Sequence, residues 1–292
     1  MPVVSFNRTC EVPPRRVDRM FADGAASHKP GSHDMHPMVR ALGIALAAGG
    51  LAAHARADHY AAQNGQTPSG DHSSWATAAS NIQDAVNAAG TGAVVWIGAG
   101  RYVAPPNATN YVGTNVVFIN RPLTLRGSNG LADSVVIDGE GTHRGIAVFY
   151  KTSTSNRFVL DGLTVSNCWA TNMGGGVLFN ADNAARWTGV VQNCVIRDNT
   201  VAWGTNTGVI TDTFRGTWGS RGGGVAAYNW NVVEGVGLVL SNSVFRANVA
   251  TSAATLATYS MGGGIYAAGF ALFYAADCLV ESNWAMAGGG AF

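Results

Sequence analysis

Charge is scarce in this chain. Only 12% of its 292 residues are charged. After residue 57 there are ten Arg and one Lys against ten Asp and three Glu, so 11 − 13 gives a formal net charge of −2. No basic stripe forms, which excludes the electrostatic footprint of a nucleic-acid-binding protein. The same stretch has three histidines, His59, His72 and His143. The four cysteines include no CxxC and no His-Cys cluster, so no metal site is expected. Long apolar runs are also missing. The stretch Ala41 to Ala53 is too short for a membrane span, and no longer one follows it, so no transmembrane helix is expected in the mature chain.

That short run has the order of an export signal. Arg40 precedes it, and "ARA" (Ala55-Arg56-Ala57) follows as a small-x-small cleavage site. A signal peptide over residues 35–57 is expected, with a mature chain starting at Asp58 and an extracellular or outer-membrane-surface location. Residues 1–34 lack periodicity and read as a disordered or misassigned leader.

Glycine, at 38 residues, is abundant and ordered. Triplets open apolar runs at "MGGGVLFN" (Met173 to Asn180), "RGGGVAAYN" (Arg221 to Asn229) and "MGGGIYAAG" (Met261 to Gly269), and "GGGAF" ends the sequence. No helical pattern follows them, so a phosphate-cradling loop does not fit. A second element repeats with them: "DGLTVSN" from Asp161, "NCVIRDN" from Asn193, "NSVFRAN" from Asn242 and "DCLVESN" from Asp277. The triplets are separated by 48, 40 and 26 residues. A bare unit of 26 is too short for a four-stranded propeller blade. The apolar runs are too short and too glycine-bounded for helical repeats. The fit is a right-handed parallel β-helix, an all-β solenoid whose coils stack about 4.8 Å apart. Residues 94–292 would form roughly eight coils, a rod of about 40 Å.

In such a stack each turn lies over its equivalent. The triplets would mark one tight corner, where glycine allows positive φ and close approach. Asn167, Asn199, Asn248 and Asn283 would mark another, their amides bonded from coil to coil. Gly162, Cys194, Ser243 and Cys278 would point inward, with Thr164, Ile196, Phe245 and Val280 two places on. Cys194 and Cys278 would be two coils apart, beyond disulfide reach, and therefore free buried thiols.

Residues 58–93 hold the one helical pattern. Within "SSWATAASNIQDAVNAAG" (Ser73 to Gly90), Ile82, Ala85, Val86 and Ala89 share a face. The helix should end at the glycine and cap the open end of the solenoid. No matching C-terminal cap is visible, so the sequence reads as truncated.

These elements resemble known families. The GGG-[VI] and "FRAN" pieces resemble the paired GGA[ILV] and FxxN repeats of polymorphic outer membrane proteins. The segment "SWATAASNIQDAVNAAG...VVWIGAGRY" resembles the opening of secreted bacterial β-helix proteins of the pectin-lyase-like superfamily. The likeness covers about Tyr60 to the end. It implies a β-helix, and it is compatible with surface adhesins, lyases, hydrolases and noncatalytic surface proteins alike.

Candidate chemistry is sparse. A β-helix lyase needs an acidic cluster for calcium and a basic residue. A glycoside hydrolase needs paired carboxylates. The chain has no Asp-Asp pair and no Asn-Thr-Asp run. The outward template position holds Val165, Arg197, Arg246 and Glu281. With Asp198, the last three are the only catalytic candidates. No cofactor is expected, and calcium would enter only under a lyase reading. Loop insertions of different length follow the Asn corner and carry Trp203, Phe214, Trp218 and Tyr259, while Trp169 and Trp284 lie just after it. Trp203, Trp218, Trp169 and Trp284 are therefore candidate sugar contacts. The expectation is a monomeric, secreted or cell-surface β-helix, noncatalytic in this part, that binds a polysaccharide or host glycan. Polysaccharide lyase or hydrolase is the first alternative, and a structural envelope rod the second.

Overall fold

A computed structural model describes residues 4–6, 57–106, 108–110, 113–150, 156–181, 187–203, 219–229, 236–252, 260–268 and 271–291. The expected signal peptide, apart from Ala57, lies outside the described residues, as do Trp218, Phe214 and Tyr259. No helix among the described residues is long and apolar enough to cross a membrane.

The fold is the expected all-β parallel solenoid. One sheet stacks Val94–Ile97, Thr124–Gly127, Asn156–Asp161, Trp187–Gln192, Val236–Ser241 and Ala271–Ala276, behind His59–Ala61. A second stacks Gly100–Tyr102, Val135–Asp138, Thr164–Ser166, Val195–Arg197, Val244–Arg246 and Cys278–Glu281. A third stacks Gly113–Ile119, Arg144–Tyr150, Val177–Ala181, Val225–Asn229 and Ile265–Ala268. The short strands Trp169–Thr171, Thr200–Trp203 and Val249–Ser252 form a fourth. All these neighbours pair in parallel. The chain thus visits each main sheet once per coil, and strands adjacent in a sheet belong to successive coils.

Among the described residues six coils follow Val94, not eight. The ladder Val95, Leu125, Leu160, Val191, Leu240, Ala275 advances by 30, 35, 31, 49 and 35 residues. The 26-residue spacing occurs where the loops are shortest, and scaling the whole chain by it overcounts the coils.

Alternation fills the cylinder. Val165, Ile196, Phe245 and Val280 form one buried column, and Leu163, Cys194, Ser243 and Cys278 form the next. This corrects the first repeat by one residue. Thr164 pairs with Val195, and Val165 with Ile196, so Gly162 is the equivalent of Asn193 rather than Cys194. Asn167 is then the equivalent of Asp198. The reason is the apolar interior: sliding the strand by one would turn Leu163 and Val165 out of the cylinder and put Thr164 and Ser166 inside it.

The amide ladder accordingly has three asparagines, not four. The Asn199 side-chain nitrogen donates to Asn248 Oδ1 at 3.0 Å, and that of Asn248 to Asn283 Oδ1 at 2.9 Å. Cys168, not Asn167, occupies the first rung, its backbone N–H donating to Asn199 Oδ1 at 3.1 Å. Asn167 is exposed at the turn, with φ of 52°. It donates to Asp138 Oδ1 at 3.0 Å.

The thiols of Cys168, Cys194 and Cys278 are free and buried. Burial pushes the Cys194 thiol up to about 12 and raises Cys278 as well. A thiol held neutral and covered reacts slowly. In a Cys10→Ser chain, Ellman's reagent at pH 8 should therefore titrate no thiol of the folded protein. It should titrate all three in denaturant. Rapid native labelling would contradict the inward assignment.

The helix is Ile82–Ala88, shorter than the pattern suggested. The Asn81 side chain caps its start by accepting from Asp84 N–H at 2.9 Å. It ends at Ala89 in an extended conformation, without a left-handed glycine. Ile82, Ala85, Val86 and Ala89 are buried and join the core, against His59–Ala61 and Gly113–Ile119. Near the start of the chain, Val4–Phe6 pairs antiparallel with Cys278, Leu279 and Val280.

Candidate functional site

The charged candidates lie on the outside of the second sheet. In register the column reads Asp138, Ser166, Arg197, Arg246, Glu281. Ser166 replaces Val165 in it, for the one-residue reason given above. Arg197 and Arg246 are on adjacent coils. Arg197 Nη1 lies 2.6 Å from Asp198 Oδ2, both partly or fully exposed, and such a pair contributes under about 1 kcal/mol. Asp198 sits at the corner with φ of 56°, a place taken by Ala247 and Ser282 in the next coils. The position therefore selects for a turn and does not require a carboxylate. At the head of the column, Arg101 reaches Asp138 at 2.8 Å and Glu140 at 3.1 Å. Burial pushes the Asp138 carboxyl up, but the Glu140 N–H, Arg101 and the Asn167 amide outweigh it and hold it below the ordinary carboxylate range. Among the described residues no three His, Cys, Asp or Glu side chains converge as metal ligands.

The aromatic candidates separate into two pairs. Trp169 aligns with Thr200, then Val249, then Trp284. Both tryptophans are in the outward column of the short fourth sheet. Three coil steps place them about 14 Å apart, with Trp169 half-buried and Trp284 exposed. Trp203 ends the strand Thr200–Trp203, opposite Ser252, and its side chain lies outside the described set along with Trp218.

A second apolar cluster was not anticipated. After each triplet, Val177, Val225 and Ile265 point into the core, while Leu178, Ala226 and Tyr266 point out. These outward residues are nevertheless buried, together with Met173. Arg221 lies over the Tyr266 ring at 5.5 Å. Its Nε and Nη1 are buried with no hydrogen-bond partner among the described residues. The signal was present in the alternation after each triplet, where the outward Leu178 and Tyr266 are large.

No protein-family model, curated protein or solved structure matches this chain.

Proposed function

We propose that this chain is an exported, surface-displayed β-helix of the pectin-lyase-like kind, whose outer face binds a polysaccharide or cell-surface glycan without cleaving it. The observation that carries this reading is the outward column ending in Trp169 and Trp284. Two indoles about three coils apart suit successive contacts along an extended glycan. Thr200 and Val249 between them leave the surface low. Flat aromatic faces pack on the apolar faces of sugar rings, while loop polar groups hold the hydroxyls. The likeness to the repeats of polymorphic outer membrane proteins supports surface display. Against catalysis stands the charged column, where Arg197, Asp198, Arg246 and Glu281 supply no carboxylate pair.

The test is retention on immobilised glycans. The protein should be held by at least one insoluble polysaccharide and leave it undegraded. Trp284→Ala should weaken retention by about 1–2 kcal/mol, roughly five- to thirtyfold, and Trp169→Ala by less because that ring is half-buried. Unsaturated products from polyuronates with calcium would replace this reading with a lyase.

A further inference from the structure

A cleft of about 450 Å³ opens at the N-terminal end of the solenoid, far along the chain from either tryptophan of the outward column. We propose that it is a separate binding site for a neutral saccharide. Three successive levels of one corner build it. Ala62, Gly98 and Ser128 follow the paired positions Ala61, Ile97 and Gly127. Gly98 N–H donates to Ala61 O at 2.8 Å, and Ser128 N–H to Ile97 O at 2.9 Å, so the levels are fixed to one another. Trp75 lines the cleft from a short 3-10 turn whose N-cap, Ser74, accepts from the Thr77 N–H.

The indole is exposed yet held. Its relative exposure is 43%, and Tyr60 braces it edge-on, with ring centroids 4.8 Å apart. The Gly98 backbone lies close beside it: a Cβ there would sit 3.4 Å from Trp75 Cζ3, at ordinary contact distance. A rigid, half-open aromatic face costs little conformational entropy when it binds. Around it are side chains that hydrogen-bond without charge. Gln63 donates its amide nitrogen to the Arg101 carbonyl, which fixes the side chain and leaves Oε1 to accept. Asn64 offers a further amide and Ser128 a hydroxyl. Among the described residues, no Asp, Glu, Lys, Arg or His lines the cleft.

This combination selects the ligand class. The volume lies within the range of small-molecule sites. One ring face, amides and a hydroxyl match a sugar, whose axial C–H groups stack while its hydroxyls both donate and accept. An ionised ligand would find no countercharge, and its desolvation would go uncompensated. A purely apolar ligand would strand the amides. A neutral hexose unit meets all three conditions.

Isothermal titration of the full chain would use hexaoses of glucose, mannose and galactose, with oligogalacturonate as the acidic comparison. At least one neutral hexaose should bind, with affinity insensitive to salt. Trp75→Ala should weaken it at least tenfold. Ala99→Arg, at an exposed residue lining the cleft, should do the same without disturbing the fold. Trp284→Ala should leave this affinity within twofold. If Trp284→Ala abolishes binding while Trp75→Ala and Ala99→Arg do not, the cleft is not the site and the outward column is. Binding of the oligogalacturonate alone, or of no neutral hexaose, would overturn the proposal.

Discussion

Gly223→Ala should destabilise the protein by about 3–5 kcal/mol, enough to unfold many domains of ordinary stability. The added Cβ would lie 2.5 Å from Val249 O and 2.6 Å from Gly263 O. Both atoms are backbone of the next coil, so no side chain can swing aside. Relief requires the coils to part. That strains the bonds clamping this corner, among them Gly223 N–H to Gly262 O at 3.2 Å and Gly224 N–H to Gly263 O at 3.0 Å. The three glycines of a triplet serve different needs. Gly174, Gly222, Gly262 and Gly288 adopt positive φ of 58° to 66°. The second and third glycines are there for contact distance: a Cβ on Gly175 or Gly176 also meets a carbonyl of the following coil, at 2.6 and 2.7 Å. Gly90 is the control, exposed, outside the left-handed region and with nothing within 4 Å of its Cβ. Gly90→Ala should move the urea midpoint by less than about 0.5 kcal/mol equivalent. Equal midpoints for the two variants would mean the coils do not touch at this corner.

The repeats made the fold legible because a solenoid reuses one local solution. Wherever the chain must turn over its own previous turn, the same residue types return, and the spacing between returns reports the coil. Legibility failed where a repeat tolerates substitution. In the first copy the rung asparagine is absent and Cys168 supplies a backbone N–H instead. Asn167 then mimicked the missing residue one position early. The burial of Leu163 and Val165 was the better guide to register. The coil count failed for a related reason: loops leave the cylinder unchanged, so their length carries no selection for a fixed period. A binding surface is less legible than either. Trp75 lies in a helical-looking segment with no partner in sequence. Its cleft depends on Gly98 and Ser128, which come from two later coil levels. Trp169 and Trp284 were found only because each follows a corner residue.

Asn248→Ala is the second large effect expected, again about 3–5 kcal/mol. Asn248 is fully buried and is the middle rung. Its Oδ1 accepts from the Asn199 backbone N–H at 3.2 Å and side-chain nitrogen at 3.0 Å. Its own side-chain nitrogen donates to Ile196 O and Asn283 Oδ1, both at 2.9 Å. Removing the amide loses four hydrogen bonds, but the consequences are unequal. Asn199 keeps its bond to Val165 O at 3.0 Å, and Asn283 Oδ1 keeps the Asn248 backbone N–H at 2.9 Å. The Ile196 carbonyl keeps its place in the parallel ladder with the next coil, but the Asn199 backbone N–H loses its bond to Asn248 Oδ1. A stranded buried group costs about 1–3 kcal/mol, and the cavity left by the amide adds to it. Asn167→Gly supplies the contrast. It preserves the left-handed turn and removes only the bond to Asp138, so its midpoint should stay within about 1 kcal/mol of wild type. Arg197→Ala, on the exposed column, should cost under about 0.5 kcal/mol. A four-membered ladder including Asn167 would instead make Asn167→Gly severe. Asn248→Asp adds a direction with pH. An ionised carboxylate would face two acceptors, Ile196 O and Asn283 Oδ1, whereas the protonated form can donate to one of them. The carboxyl is therefore raised in the folded state, which binds the extra proton that the unfolded state releases. The variant should be closest to wild type below the ordinary carboxylate range, near pH 4. It should lose stability relative to wild type as pH rises above that range, until the raised carboxyl of the folded state has ionised. A difference that does not change with pH, or that shrinks as pH rises, would mean the Asn248 side chain does not donate along the stack.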